Sequence, residues 1–401
     1  MISVREADTI IAEAQAILPV EEVPLVNAMG RGLRRPVFAD RDLPPFDRVM
    51  MDGIAIAFRA WAAGRREFAV DGVQAAGEPR KALEDPEHCL EVMTGAILPE
   101  GCDCVIPYED TSVMPSGRRV TDKMRLRQNQ FVHRQGSDFC AHAMLLPAGK
   151  RLNSCDIAVG ASCGRAHLAV SRLPRVSLIS TGDELVELDE PVAPHQIRRS
   201  NIFALWAACR KAGITRVSTF HMQDEAGSIN RVLDQAMEDC DVLILSGGVS
   251  HGKFDLVPEV LAQRGVRRRF HGVSQRPGKP FWYGTGETVA HVFALPGNPV
   301  STVTCFHRYV LGALDRMQGL PVQAPSLAQL TEPFAFQPPL TCLLPVRLRD
   351  SGGGLRGATP FPVSNSGDYA SLVESDGFVE LAGEEISEFP LGFAAPFFQW
   401  L

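Results

Sequence analysis

The sequence predicts a multidomain α/β plus β protein, with a central doubly wound α/β domain, a β-rich N-terminal half and a small C-terminal β domain. Three observations carry this. From Arg175 onward, buried-type strands alternate with amphipathic helices for ~140 residues, the pattern of a parallel sheet covered on both faces. Between about 30 and 135 the chain breaks into short runs punctuated by Pro36, Pro44-Pro45, Gly53, Gly72, Gly77, Pro86, Gly95 and Gly101, which favours short strands. From about Pro321 the rhythm returns to short strands at 340–348, 377–381 and 393–400. At 401 residues, with ~150 residues per domain, two or three domains are expected.

The elements follow in order. Ser3 and Glu6 make a capping box, and Val4, Ala7, Ile10, Ile11, Ala14, Ile17 and Leu18 recur on one helical face that Pro19 and Pro24 stop. Val176–Ser180 reads as a buried strand running into Thr181-Gly182-Asp183-Glu184. Ser200-Asn201 is placed to cap a helix carrying Ile202, Leu205, Trp206 and Cys209, ended by Gly213. A strand at 217–220 follows, and Asp224 is placed to open a helix with Ile229, Val232, Leu233 and Ala236 on one face. The strand at 241–245 runs into Ser246-Gly247-Gly248-Val249-Ser250, and a helix is expected over about 255–264. Strands at 266–272, 281–283 and 289–295 lead to Pro296-Gly297-Asn298-Pro299 and a long helix from Val300.

Composition narrows the function. Lys and Arg number 40 against 47 Asp and Glu, giving a net charge of −7, which argues against a nucleic-acid binder. Hydrophobic residues at 45% and charged residues at 22% exclude wholesale disorder. No apolar run approaches the ~18–20 residues of a membrane span. Glu6, Asp8 and Glu13 interrupt any signal-peptide core. The ten cysteines form no zinc pattern, and unpaired thiols in such a chain point to the reducing cytoplasm.

The chemistry concentrates in three turns of the α/β region, which should lie outside the strand ends where open α/β sheets bind ligands. Ser246–Ser250 offers backbone N–H groups and two hydroxyls, suited to an anion. Pro296-Gly297-Asn298-Pro299 places Asn298 at an N-cap and Pro299 at the first helical position. Pro277-Gly278-Lys279-Pro280 fixes a lysine on a stiff turn with Arg276 beside it. Neither GxxxxGK[ST] nor a strand-to-helix GxGxxG is present, which removes the kinase and dehydrogenase readings. Asp183, Glu184, Asp224 and Asp255 cluster around the same turns. Acids beside an anion cradle repel it unless a divalent cation intervenes, and oxygen ligands with a phosphate are the usual Mg²⁺ arrangement. Asp224 and Asp255 could equally be helix caps. In the β-rich half, Met51-Asp52-Gly53, Met93-Thr94-Gly95 and Gly136-Ser137-Asp138 stand out, while the dispersed histidines make no HExxH-type pair.

In this order and spacing, the segments resemble the molybdopterin molybdenumtransferase family, the molybdenum-insertion enzymes that include the gephyrin E domain. The matching residues are those three segments, Ser180–Leu185, Ser200-Asn201, Ser246–Ser250 with Asp255, Pro277–Pro280 and Leu295–Ser301, spanning roughly residues 1–320. A weaker likeness continues at Ala370–Leu372 and Asp376-Gly377. Departures from the family pattern are His133 for Arg, Arg199 for Asp, Val49 for Ser, Ile54 for Tyr, and Gln275-Arg276 where a lysine often precedes the turn.

The resemblance implies an elongated homodimer with four domains per chain. These are a discontinuous N-terminal domain (1–45 and 138–170), an inserted β-rich domain (46–137), a molybdopterin-binding α/β domain (171–320) and a C-terminal β domain (321–401). It implies that molybdenum from molybdate enters adenylylated molybdopterin, releasing AMP and molybdenum cofactor with Mg²⁺ assisting. Asp52, Glu184 and Asp224 are then expected to serve metal, water or molybdate, and Asp255 to hold pterin or metal; all four are the catalytic candidates. Thr94, Asp138, Ser246, Gly247, Gly248, Ser250, Arg276, Lys279, Pro296, Gly297, Asn298 and Pro299 are expected to bind the anionic ligand. The adenylyltransferase and recipient molybdoenzymes are expected partners. A molybdopterin adenylyltransferase and a non-catalytic cofactor-binding scaffold remain alternatives, the former disfavoured by the additional domains around residues 1–170 and 321–401.

Overall fold

The structure is a computed structural model describing residues 1–14, 16–248, 257–350, 354–361, 365, 367–383 and 386–401. By contacts the chain divides into two compact units, one of 1–34, 148–153 and 167–401, the other of 35–147 and 154–166.

The larger unit opens with the helix Val4–Glu13, whose capping box forms: the Glu6 N–H donates to Ser3 Oγ at 3.2 Å and the Ser3 N–H to Glu6 Oε2 at 2.7 Å. Val4, Ala7 and Ile11 are its buried face. The helix stops well before Pro19, because the Leu18 N–H donates to the carbonyl of Met317 at 2.8 Å and so satisfies another helix's C-terminal end.

A six-stranded sheet forms the centre, in the order Arg216–Met222, Arg175–Thr181, Val242–Ser246, His291–Leu295, Trp282–Thr285, Arg267–His271. Its strands alternate faces as a pleat requires. Val176, Leu178, Val242, Ile244, Phe293 and Leu295 join one core with the helices at 4–13, 200–211 and 299–317. Ile179, Leu243, Leu245, Val292 and Ala294 join the opposite core with the helices at 226–238 and 257–263.

The doubly wound expectation holds for four parallel strands. The last two in sheet order pair antiparallel, a departure with a geometric cause. Only residues 272–281 separate Arg267–His271 from Trp282, fewer than a parallel crossover needs. The long helix after Asn298 is also interrupted, running α over Pro299–Cys305, π over Phe306–Val310 and α over Leu311–Met317.

Residues beyond the α/β region close a small barrel. Thr341–Arg349, Arg356–Pro360, Ser326–Leu330, Ala394–Gln399 and Gly377–Ala382 follow one another, Thr341–Arg349 pairs back to Gly377–Ala382, and Gln275–Arg276 of the α/β region adds at the edge beside Thr341–Cys342. The smaller unit holds a four-stranded sheet (Val70–Gln74, Cys89–Val92, Gly53–Ile56, Cys104–Pro107) and a three-stranded one (Glu67–Phe68, Gly117–Val120, Thr111–Met114) over two apolar cores. All ten cysteines are free thiols. Among the described residues no helix is long and apolar enough to cross a membrane.

Candidate functional site

The chain order of the parallel strands reverses at Arg175–Thr181, which lies between Arg216–Met222 and Val242–Ser246. A ligand crevice is expected outside the C-terminal ends of such strands. A pocket of about 710 Å³ lies there, lined by Ser180–Gly182, Glu184, Asn201, Asp224, Ser246–Gly248 and Pro296–Pro299, among others. Seven of the expected ligand-binding residues and two of the expected acids therefore share one cavity.

The turn after Val242–Ser246 is fixed by close packing. Gly247 has φ +96°, and a Cβ there would lie 2.5 Å from Thr181 Oγ1, so the position admits only glycine without displacement. The Gly247 N–H donates to the Leu295 carbonyl at 3.0 Å. That donor is therefore committed to the scaffold, not to an anion as the sequence reading expected. Gly247→Ala is expected to reduce both the thermal midpoint and ligand affinity; a purified variant with unchanged values of both would refute this packing argument.

Asn201 ties the two glycine turns together. Its Nδ2 donates to Ser246 Oγ at 2.9 Å, the Gly297 carbonyl at 2.7 Å and Thr302 Oγ1 at 3.2 Å. Its Oδ1 is buried with no hydrogen-bond partner among the described residues, leaving one acceptor on the pocket wall unused. The sequence reading placed Ser200-Asn201 as a helix cap. The N-cap is instead Arg199, without a side-chain cap, and this one-residue shift puts Asn201 inside the helix with its amide turned to the turns. Arg199 also lines the pocket; it is buried, ion-paired to Glu187, and donates to the Phe220 carbonyl at 3.1 Å.

The acids lie at the strand ends. Asp224 is not a helix cap: the helix is Ala226–Glu238 with Glu225 at its N-cap. The Asp224 N–H donates to Asp183 Oδ1 at 3.0 Å. Partial burial, then the charges of Asp183 and Glu184, push the Asp224 carboxyl above its ordinary pKa. His221, whose ring contacts the Gly182 carbonyl at 3.1 Å, partly offsets this. No sequence pattern marks His221 or Thr302, and Thr181 stands out only as part of its turn, because their roles depend on strands and helices meeting from distant positions.

Arg276 and Lys279 lie on an exposed turn whose Pro280 reaches the pocket wall. Neither cation makes an ion pair with another described residue, which leaves both available to an anion.

The other candidates fall in the smaller unit. Asp52 Oδ1 accepts from the Thr94 N–H at 2.6 Å and Thr94 Oγ1 at 2.7 Å, and these two bonds hold its carboxyl below the ordinary range. Asp138 Oδ1 meets His133 Nε2 at 2.8 Å, and Arg48 meets His133 Nδ1 at 2.9 Å. An arginine can only donate, so His133 Nδ1 accepts and its Nε2–H donates to Asp138. Ser250 and Asp255 lie outside the described residues.

No group of three or more metal-ligating side chains converges among the described residues. Of the expected set, Asp52 belongs to the smaller unit, and Glu184 and Asp224 line the pocket of the larger one. Two neighbouring carboxylates whose repulsion His221 offsets only in part still match Mg²⁺, which commonly takes one or two carboxylates with waters and substrate phosphates.

Comparison with known proteins covers most of the chain. Residues 2–164 match the model of the MoeA N-terminal region (domain I and II), 177–316 that of a probable molybdopterin binding domain, and 328–387 that of the MoeA C-terminal region (domain IV). The molybdopterin molybdenumtransferase of Synechocystis sp. is 42% identical over 377 residues, covering 93% of each chain. That of Bacillus subtilis is 30% identical over 377 residues, covering 90% of this chain and 86% of its own. The crystal structure of a molybdopterin biosynthesis MoeA protein from Pyrococcus horikosii superposes with a TM-score of 0.81 at 27% identity, covering 100% of this chain and 99% of that one. The chain belongs to the MoeA family of molybdopterin molybdenumtransferases.

Proposed function

We propose that this enzyme inserts molybdenum from molybdate into the dithiolene of adenylylated molybdopterin, cleaving the phosphoanhydride to release AMP and molybdenum cofactor. The observation that carries the reading is the switch-point pocket, where Glu184 and Asp224 line one cavity with the Pro296–Pro299 turn. Such chemistry needs charge neutralised on a phosphoanhydride while a second oxyanion is held beside it, and positioning with electrostatics can supply much of this. Lys279 and Arg276 bind the anionic ligand. Ser246, Asn298 and the glycines shape its seat, and Asp52 with Thr94, together with Asp138, serves the same reaction from the N-terminal region. Glu184 and Asp224 would hold Mg²⁺, which supplies neutralisation of phosphate charge. Asp255 and Ser250 remain in the proposed set.

The protein works as a homodimer of four-domain chains in the cytoplasm, taking substrate from an adenylyltransferase and giving product to molybdoenzymes. Phe203 and Trp206, exposed 39% and 42% one turn apart on the helix 200–211, support a protein-covered face. The adenylyltransferase alternative is disfavoured by the matches to MoeA regions on both sides of the α/β domain. Release of AMP is expected to require Mg²⁺ and molybdate together. Equal AMP release in excess chelator would remove the metal from the reading. Binding of adenylylated molybdopterin without turnover under any metal condition would favour a scaffold.

A further inference from the structure

Beneath the Arg276–Lys279 turn lies a polar network in the middle of an apolar core. Gln275 is fully buried and Tyr309 nearly so, packed with Phe281, Cys305 and Phe306. Burying an amide and a phenol is unfavourable unless each is hydrogen-bonded, and here they satisfy one another. Tyr309 Oη donates to Gln275 Oε1, and Gln275 Nε2 donates to the Gly278 carbonyl at 3.3 Å and contacts Cys305 Sγ at 3.3 Å. Gly278 has φ +92°, and a Cβ there would be driven into Cys305 Sγ and Gln275 Nε2, so the turn rests directly on this network.

The backbone around it is equally fixed. The Val273 N–H donates to the Lys279 carbonyl at 2.9 Å, and the Phe281 N–H to the Gly278 carbonyl at 3.2 Å. Gln275–Arg276 pairs with Thr341–Cys342 of the barrel. Tyr309 sits in the π turn Phe306–Val310, in the helix that begins at Pro299. One helix thus carries the Pro-Gly-Asn-Pro turn at its start and the support of the cationic turn at its middle. Above this rigid base the two cations are exposed.

We propose that Tyr309 and Gln275 are positioning residues, holding the Gly278 carbonyl so that Lys279 meets the anionic ligand without reorganising. This rests on the reading of Lys279 as a ligand contact. A rigid, prearranged cation binds an anion without first losing its own freedom, so the effect belongs in KM more than in kcat.

The test is a coupling cycle on binding of adenylylated molybdopterin, with turnover measured alongside. Tyr309→Phe strands Gln275 Oε1 and is expected to lower the thermal midpoint. Tyr309→Phe/Gln275→Leu removes both polar groups and is expected to regain much of that stability. The pair variant is still expected to bind about tenfold more weakly, with kcat within about twofold, because the Gly278 carbonyl has lost the Gln275 amide and keeps only the Phe281 N–H and the long Cys305 thiol contact at 4.0 Å. With Lys279→Ala already present, the same change is expected to weaken binding less than about twofold, since the group being positioned is gone. If Lys279→Ala alone leaves binding unchanged, the ligand-contact reading fails. If it weakens binding but the network variant is either without effect or fully additive, the positioning role fails. Should the pair variant not fold, Gln275→Met enters the same cycle with the same criteria.

Discussion

Asp224→Asn is expected to reduce molybdate-dependent AMP release by about a hundredfold or more, the scale of removing a group that acts on charge in the transition state. It should do so without loss of stability. The native carboxylate is disfavoured by partial burial and by Asp183 and Glu184, so a neutral amide of similar shape relieves repulsion. The sign of the pH dependence follows. A carboxyl whose folded pKa is raised contributes stability that is complete below its unfolded value and is lost as pH rises through the folded one. The thermal midpoint of Asp224→Asn at neutral pH should therefore equal or exceed that of the parent, and its fall between the two pKa values should be absent. A variant that loses activity only because it unfolds would make Asp224 a scaffold residue.

The second large effect is acid unfolding through two buried histidines of the α/β unit. Burial lowers both His291 and His307 to about 4 from the ordinary value of 6.5. His291 Nδ1 lies 2.8 Å from the Tyr283 hydroxyl. His307 donates from Nδ1 to the Val303 carbonyl at 2.8 Å and accepts at Nε2 from the Leu401 N–H at 3.1 Å. Protonation of His307 would set a donor against a donor. Groups whose folded pKa is depressed bind fewer protons when native, so stability is lost as pH falls from 6.5 through about 4. Each ring contributes on the order of 3 kcal/mol over that span, large beside a typical total of ~5–15 kcal/mol. Asp241, held below the usual carboxylate range by Arg172 and Arg175 despite burial, loses its contribution only below that window. Denaturant midpoints at pH 7, 6 and 5 should decline steeply, and His307→Gln should flatten the slope by about one proton. Equal midpoints at pH 7 and 5 would contradict the assignment.

The sequence exposed what local chemistry controls. The Ser3–Glu6 capping box, the face-alternating strands and Asn298-Pro299 at a helix start are each set by neighbours a few residues away. Tertiary partners decided the rest. The first helix ends early because Leu18 caps the helix ending at Met317. The sheet edge turns antiparallel because its connection is short. At the site, the turns at Gly247-Gly248 and Gly278 are legible because their positive φ and close packing favour glycine. The Ser200-Asn201 pattern indicates a cap, yet Asn201 lies inside the helix because the helix begins one residue earlier than that pattern implies. Gln275 read as a departure from a motif, and only packing against Tyr309 and Gly278 gives it a role.

The measurement closest to the central claim is the stoichiometry of a single turnover. Protein loaded with adenylylated molybdopterin is mixed with Mg²⁺ and molybdate, and AMP and pterin-bound molybdenum are quantified together. About one molybdenum should be incorporated per AMP released, with neither formed when molybdate is withheld. AMP released at the same rate without molybdate, or without molybdenum appearing in the pterin, would contradict it.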